Sequence, residues 1–168
     1  MNDQFALVRI DFRLIHGQVI TKWMKKTGAR KIWVINDAIA SDPFLGDIYK
    51  MAAPPNVEIN ILKLAEVPEK IEEAKGKLSQ ILVLFKTVSD TFQCVKQGVS
   101  IPDLQIGGLG SGEGRINVYG PITLDNTDAS MLNELQEKHG VNVVFHQVPD
   151  ESAATLSKIL AKYDFDLT

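Results

Sequence analysis

Six short apolar runs alternate with stretches of helical spacing along this chain, and that alternation limits the fold more than any other feature. The runs are Ala6–Ile10, Lys31–Ile35, Val57–Leu62, Gln80–Phe85, Leu104–Ile106 and Val141–His146. They are short and rich in Val, Ile, Leu and Phe, and they predict buried strands. Helical patterns follow over Gly17–Thr27, Pro43–Ala53, Val67–Lys75, Ser89–Gln97, Thr127–His139 and Glu151–Tyr163. Repeated βα units make neighbouring strands parallel, and a parallel sheet needs cover on both faces. The expected architecture is α/β: an open, mostly parallel sheet flanked by helices on both faces, in a single domain over residues 1–168.

Local chemistry supports the boundaries. Ser41-Asp42-Pro43 reads as a helix start, with a cap residue before a first-turn proline. Gly28, Gly98 and Gly140 follow helical patterns as C-terminal glycines do, and Asp125 and Thr127 are candidate caps. One segment breaks the rhythm. Gly107–Leu124 holds six glycines and little helical pattern. It reads as a loop after the fifth strand, then a short extended piece, Ile116–Thr123. It lacks the Lys-Ser/Thr of a P-loop and opens no long helix, so it is a poor nucleotide motif.

Composition excludes several classes. The chain has 168 residues, 45% of them apolar and 23% charged, which fits one globular domain with a sizeable core. A net charge of −3 argues against a nucleic-acid binder held by bulk charge. Cations gather near the first helix (Arg9, Arg13, Lys22, Lys25, Lys26, Arg30, Lys31), as a solvated helix face or a docking surface for an acidic partner. The single cysteine, Cys94, rules out a disulfide within the chain and reads as a buried apolar residue. Three scattered histidines lack metal-ligand spacing, so no metal is expected. No run of 18 apolar residues and no secretory-type leader is present, and a cytoplasmic location is expected.

The candidate chemistry lies in Phe5–Lys26. His16 falls in the turn between the first strand and the first helix, beyond the carboxyl end of a strand, where open α/β sheets place their sites. A helix N-terminus offers unpaired N–H groups that suit a phosphate. Arg13 is shaped to fork onto phosphate oxygens, Gly17 lets backbone approach an anion, and Asp11 suits orienting an arginine or a ring N–H. A capping or carbonyl-bonding role for His16 stays open on these residues alone. Arg9 fits a structural ion pair about as well as a site role. Asn36-Asp37 and Lys86-Thr87 follow strands and project toward the crevice or satisfy turn backbone. Gly107 and Gly108 form a candidate rim beside the His16 loop. His139 reads as a helix-end residue and His146 as a core-strand residue near the crevice. No G-x-S-x-G elbow occurs.

The run Val8–Val19, VRIDFRLIHGQV, with Trp23, resembles the signature of the mannose/sorbose-type IIB component of the bacterial sugar phosphotransferase system (PTS). Val34–Pro43, Ile81–Asp90, Leu104–Gly110 and Ile122–Asp128 resemble later segments of that family, so the likeness covers essentially the whole chain. The resemblance implies a single α/β domain and a phosphocarrier. His16 would accept a phosphoryl group on Nδ1 from a phosphohistidine of a IIA component. It would pass the group to a sugar entering through membrane IIC and IID components, at the inner face of the membrane. Arg13 would clamp the phosphoryl oxygens, and the segment of Asp11, Leu14, Ile15, Gly17 and Gln18 would help cradle them. No cofactor is implied, because the donor is already activated. The sugar would be a hexose or amino-sugar, and a homo-oligomer stays open. Two departures stand out: Phe12 occupies a usually acidic position, and Gly108–Gly114 is unusual for the family's loop. The weighed alternatives are a phospho-ligand or nucleotide-binding module, and a phosphohistidine phosphatase. The second is disfavoured by Ile15 standing before His16.

Overall fold

The computed structural model describes residues 3–168, with the side chain of Gln18 outside the description. The chain runs β1 (Leu7–Asp11), α1 (Gly17–Thr27), β2 (Lys31–Ile35), α2 (Asp37–Ala40), α3 (Pro43–Met51), β3 (Glu58–Leu62), α4 (Val67–Glu73), β4 (Ile81–Phe85) and α5 (Val88–Lys96). It continues with β5 (Asp103–Gly108), β6 (Ile116–Tyr119), β7 (Ile122–Leu124), α6 (Asn126–His139), β8 (Asn142–Phe145), β9 (Ala154–Thr155) and α7 (Leu156–Lys162). Seven strands form one sheet in the order β3-β2-β4-β1-β5-β8-β9. All its pairs are parallel except β8–β9.

Strand β4 shows why the sheet is covered twice. All five of its residues are buried. Leu82 and Leu84 face the cluster under α1 and α3, while Ile81, Val83 and Phe85 face the cluster under α4 to α7. Period-two alternation sends successive side chains to opposite faces. In β1 the same alternation puts Val8 and Ile10 into the larger cluster, leaving Arg9 and Asp11 to point to the α1 side, buried. The connections after β1 and β5 thus leave toward opposite faces of adjacent strands, which opens a crevice at their carboxyl ends.

Three sequence expectations are corrected. The extended piece Ile116–Thr123 is an antiparallel hairpin of β6 and β7, outside the main sheet. The last helix begins at Leu156 rather than Glu151. Ala154–Thr155 first pairs with β8, and Thr155 Oγ1 accepts from Lys158 N at 3.2 Å to cap the helix. A short helix, α2, stands between β2 and α3 because Asn36 caps it by accepting from Ile39 N at 3.0 Å. Among the described residues, no helix is long and apolar enough to cross a membrane.

Candidate functional site

The loop from β1 to α1 is pinned by its apolar residues. The Leu14 amide donates to Asp11 O at 2.9 Å, closing a tight turn. Leu14 adopts a left-handed backbone, φ 55°, which costs a non-glycine residue about 1–2 kcal/mol. Its side chain is fully buried, with Ile15 beside it, and burying a leucine returns about 1.5–3 kcal/mol. Leu14 and Ile15 therefore anchor the loop and offer only backbone to the outside. His16 is the N-cap residue of α1, with extended backbone and no side-chain capping bond. The ring is free for other work.

That work is visible below it. His16 Nε2 lies 2.9 Å from Asp11 Oδ2. Asp11 Oδ1 accepts from the Arg13 amide at 3.1 Å, and Oδ2 also accepts from Arg9 Nη2 at 3.2 Å. Arg9 is wholly buried. Its Nη1 donates to Gln105 Oε1 at 2.5 Å and to His146 O at 3.0 Å, and Nη2 donates to Gln147 O at 3.0 Å. Trp23 closes this nest from α1, with its ring 5.6 Å from the guanidinium and Nε1 donating to Gln147 O at 3.0 Å. Among the described residues, Arg9 Nε is the one buried side-chain nitrogen or oxygen without a partner.

Electrostatics fix the protonation pattern. Burial alone raises the Asp11 carboxyl, but the His16 hydrogen bond and the Arg9 charge outweigh it and hold the group below its ordinary range. Burial lowers Arg9, with Asp11 pulling back, and a guanidinium stays charged in a protein. Asp11 is thus an ionised acceptor. His16 Nε2 must donate to it, which leaves Nδ1 with its lone pair in the neutral ring. Among the described residues Nδ1 has no hydrogen-bond partner, and the exposed Arg13 guanidinium has no ion-pair partner. A ring nitrogen and a guanidinium, each without a partner among the described residues, and a helix N-terminus lie together here.

His16, Arg13, Asp11 and Arg9 line one cavity of about 400 Å³, with Gly107 and Gly108 on its other wall. The β1–β5 register slips between Ile10 and Asp11, so one more residue of β5 opposes β1; such bulges re-aim chains beside sites. A Cβ on Gly107 would lie 1.9 Å from Arg9 Cζ, and one on Gly108 2.9 Å from Asp11 Oδ1. These glycines make room for the buried pair. Phe12, Val19, Leu109, Gly110, Ser111, Asn117, Pro121 and Gln147 complete the wall. Sequence reading reached the glycine-rich rim but not Asn117, Pro121 or Gln147. Gln147 directly follows His146, and that adjacency to a strand end was the only signal. Gln18 lies in the first turn of α1, its side chain outside the described residues.

Other candidates lie elsewhere. Asn36 caps α2 and donates to Asp90 Oδ2 at 3.2 Å; Asp37 accepts from Leu64 N at 2.8 Å. Thr87 caps α5. Neither pair, nor Lys86, lines the His16 cavity. His146 stacks edge-on to Trp23, and its Nε2 meets Glu151 O at 2.7 Å. His139 sits in the last turn of α6, near Glu134.

The family model for the PTS system sorbose subfamily IIB component matches residues 5–168. The sorbose-specific EIIB component of Klebsiella pneumoniae is 34% identical over 157 residues, covering 93% of this chain and 95% of its own length. The mannose-specific EIIAB component of Escherichia coli K12 is 28% identical over 95% of this chain, and this chain spans only 49% of that protein. Among solved structures, manxB from Thermoanaerobacter tengcongensis superposes with a TM-score of 0.89 at 31% identity, over 95% of this chain and 96% of its own. The IIBSor domain of the Klebsiella pneumoniae sorbose permease gives 0.87 at 30%, over 97% and 99%. Fold, sequence and the whole length from β1 to the end agree: this chain belongs to the sorbose subfamily of PTS IIB components.

Proposed function

We propose that His16 is a phosphocarrier residue, taking a phosphoryl group from a phosphohistidine of a IIA component and giving it to a sugar brought by membrane IIC and IID components. The hydrogen bond from His16 Nε2 to the buried Asp11 carboxylate carries the reading. It holds the lone pair on Nδ1, toward which the donor's phosphorus must come. As the new N–P bond forms, the donor ring nitrogen takes back the electron pair of the breaking bond. The His16 ring gains positive character as this happens, and Asp11 faces it. Transfers of this kind rest on positioning and charge stabilisation. Arg13 supplies a guanidinium for the equatorial oxygens, and the backbone from Ile15 to Gln18, at the start of α1, supplies amides, those of Arg13 and Leu14 being bonded to Asp11.

The second transfer forms an O–P bond to a hexose or amino-sugar hydroxyl, whose proton leaves to a base on the membrane partner. The chain then works on the cytoplasmic side, held to the membrane through IIC and IID. The test is intact mass after incubation with phosphoenolpyruvate, the general phosphotransferase proteins and a phosphorylated IIA. Wild type is expected to gain one acid-labile phosphoryl group and His16→Ala none. No gain on wild type, with two IIA proteins shown to be phosphorylated, overturns the reading.

A further inference from the structure

Helix α3 carries two apolar faces, and only one of them is used. Leu45 and Tyr49 pack into the cluster under α1, and Gly46 faces the sheet, where its Cβ would lie 3.4 Å from Ile61. On the opposite side Phe44 is 76% exposed, Ile48 47% and Met51 86%. Spacings of four and three put these three in one row along the helix. Exposed Ala52, four residues after Ile48, extends it at the carboxyl end. A surface helix normally turns charge to water on that side. Here the only charged residues of the helix are Asp47 and Lys50, and helical geometry places both on the same flank of the row.

We propose that this row is the contact between two copies of the chain, packed α3 against α3, antiparallel, about a two-fold axis at Ile48. A two-fold contact brings residue i onto j and j onto i. Centred on Ile48, it sets Ile48 on its own copy and Phe44 on Met51 of the second copy. On the shared flank it sets Asp47 beside Lys50 of the second copy, twice. A parallel pair would instead put the two charged flanks on opposite sides of the seam, with no Asp47–Lys50 contact across it. Antiparallel packing also places the positive end of each helix beside the negative end of the other. The row's own charges argue against an anionic lipid surface, because Asp42 stands at its head and Asp47 along its side. None of the residues of the row lines the His16 cavity.

One nine-residue helix per copy covers far less than the ~800 Å² per partner of a stable complex, so association is weak and concentration-dependent. Sedimentation velocity from about 10 μM to about 1 mM covers the range such a contact requires. The mass is expected to climb from 18.6 kDa toward its double, and Ile48→Asp to abolish the climb without lowering the unfolding midpoint. Asp47→Lys is expected to weaken the pair, and Asp47→Lys with Lys50→Asp to restore it. Ile48→Cys is expected to cross-link to itself under mild oxidation, since Cys94 is only 1% exposed. A constant mass over the whole range overturns the proposal, as does a climb that survives Ile48→Asp. Binding to vesicles of anionic lipid that Ile48→Asp removes, with no mass climb, gives the row to the membrane instead and also overturns it. None of these readouts involves phosphoryl transfer, so the outcome is independent of the role proposed for His16.

Discussion

Asp11 serves two neighbours at once. It neutralises Arg9 in the interior and orients the His16 ring at the surface, through the same oxygen. Removing its charge therefore has a stability cost as well as a chemical one. Asp11→Asn leaves the Arg9 guanidinium buried without its counter-charge, and loss of one partner of a buried pair costs about 3–5 kcal/mol. Urea unfolding is expected to read that loss near neutral pH. The pH dependence has a definite sign. Because the folded state lowers the Asp11 pKa, its contribution is complete above the ordinary carboxylate value of about 3.9 and is lost as pH falls through the lower folded value. Wild type is expected to lose stability below about pH 4 with a step that the Asp11→Asn variant lacks. His16, Arg13 and Asp11 were legible in the sequence, because they lie within six residues at a strand-to-helix turn. The partners of Arg9 were not. Gln105, His146 and Gln147 lie about a hundred or more residues away, and no local pattern marks a buried acceptor.

The elements that bear the site differ in how tightly their glycines are held. Gly17, at the start of α1, has a positive φ but nothing within 4 Å of where a Cβ would stand. Gly17→Ala is expected to cost only the backbone term, about 1–2 kcal/mol. Gly107, at the bulge of β5, would drive its Cβ into Arg9. Gly107→Ala must expel that side chain from its nest, and is expected to cost about 3 kcal/mol or more. Denaturant midpoints for the two variants separate these cases, and equal losses would contradict the packing described. Most strands and helices could be read to within two residues, since burial on both faces leaves a strong pattern. The hairpin was missed because its turn, Tyr119-Gly120-Pro121, lies inside what reads as one extended run. Arg115 holds the segment from outside, donating to Thr123, Asp125 and Asp128. The start of α7 was misplaced because pairing with β8 takes Ala154–Thr155 first.

At the scale of the molecule, Cys94 reports on the integrity of the larger core. It lies on α5 among residues that bridge β4 and α6, and burial pushes its thiol up to about 12. A thiolate is the species that alkylates. At neutral pH the native protein is expected to resist iodoacetamide and to label in urea with the same midpoint as its global unfolding. Labelling well before that midpoint would mean that α5 opens by itself. Parallel order was readable from the alternation of patterns, but the strand sequence β3-β2-β4-β1-β5-β8 was not. It follows from which face each crossover takes, a choice made by packing across the whole chain.

The central place of β1 has a consequence for how the protein is made. Asp11 is synthesised before β4, β5 and β8, yet its strand lies between β4 and β5, and Arg9 takes three of its acceptors from Gln105, His146 and Gln147. At ordinary synthesis speeds the nascent chain carries this charged strand without its partners for on the order of ten seconds. The order of synthesis thus puts His16 ahead of the residues that fix its surroundings, so a truncated product ending before β8 would expose His16 on an unformed scaffold.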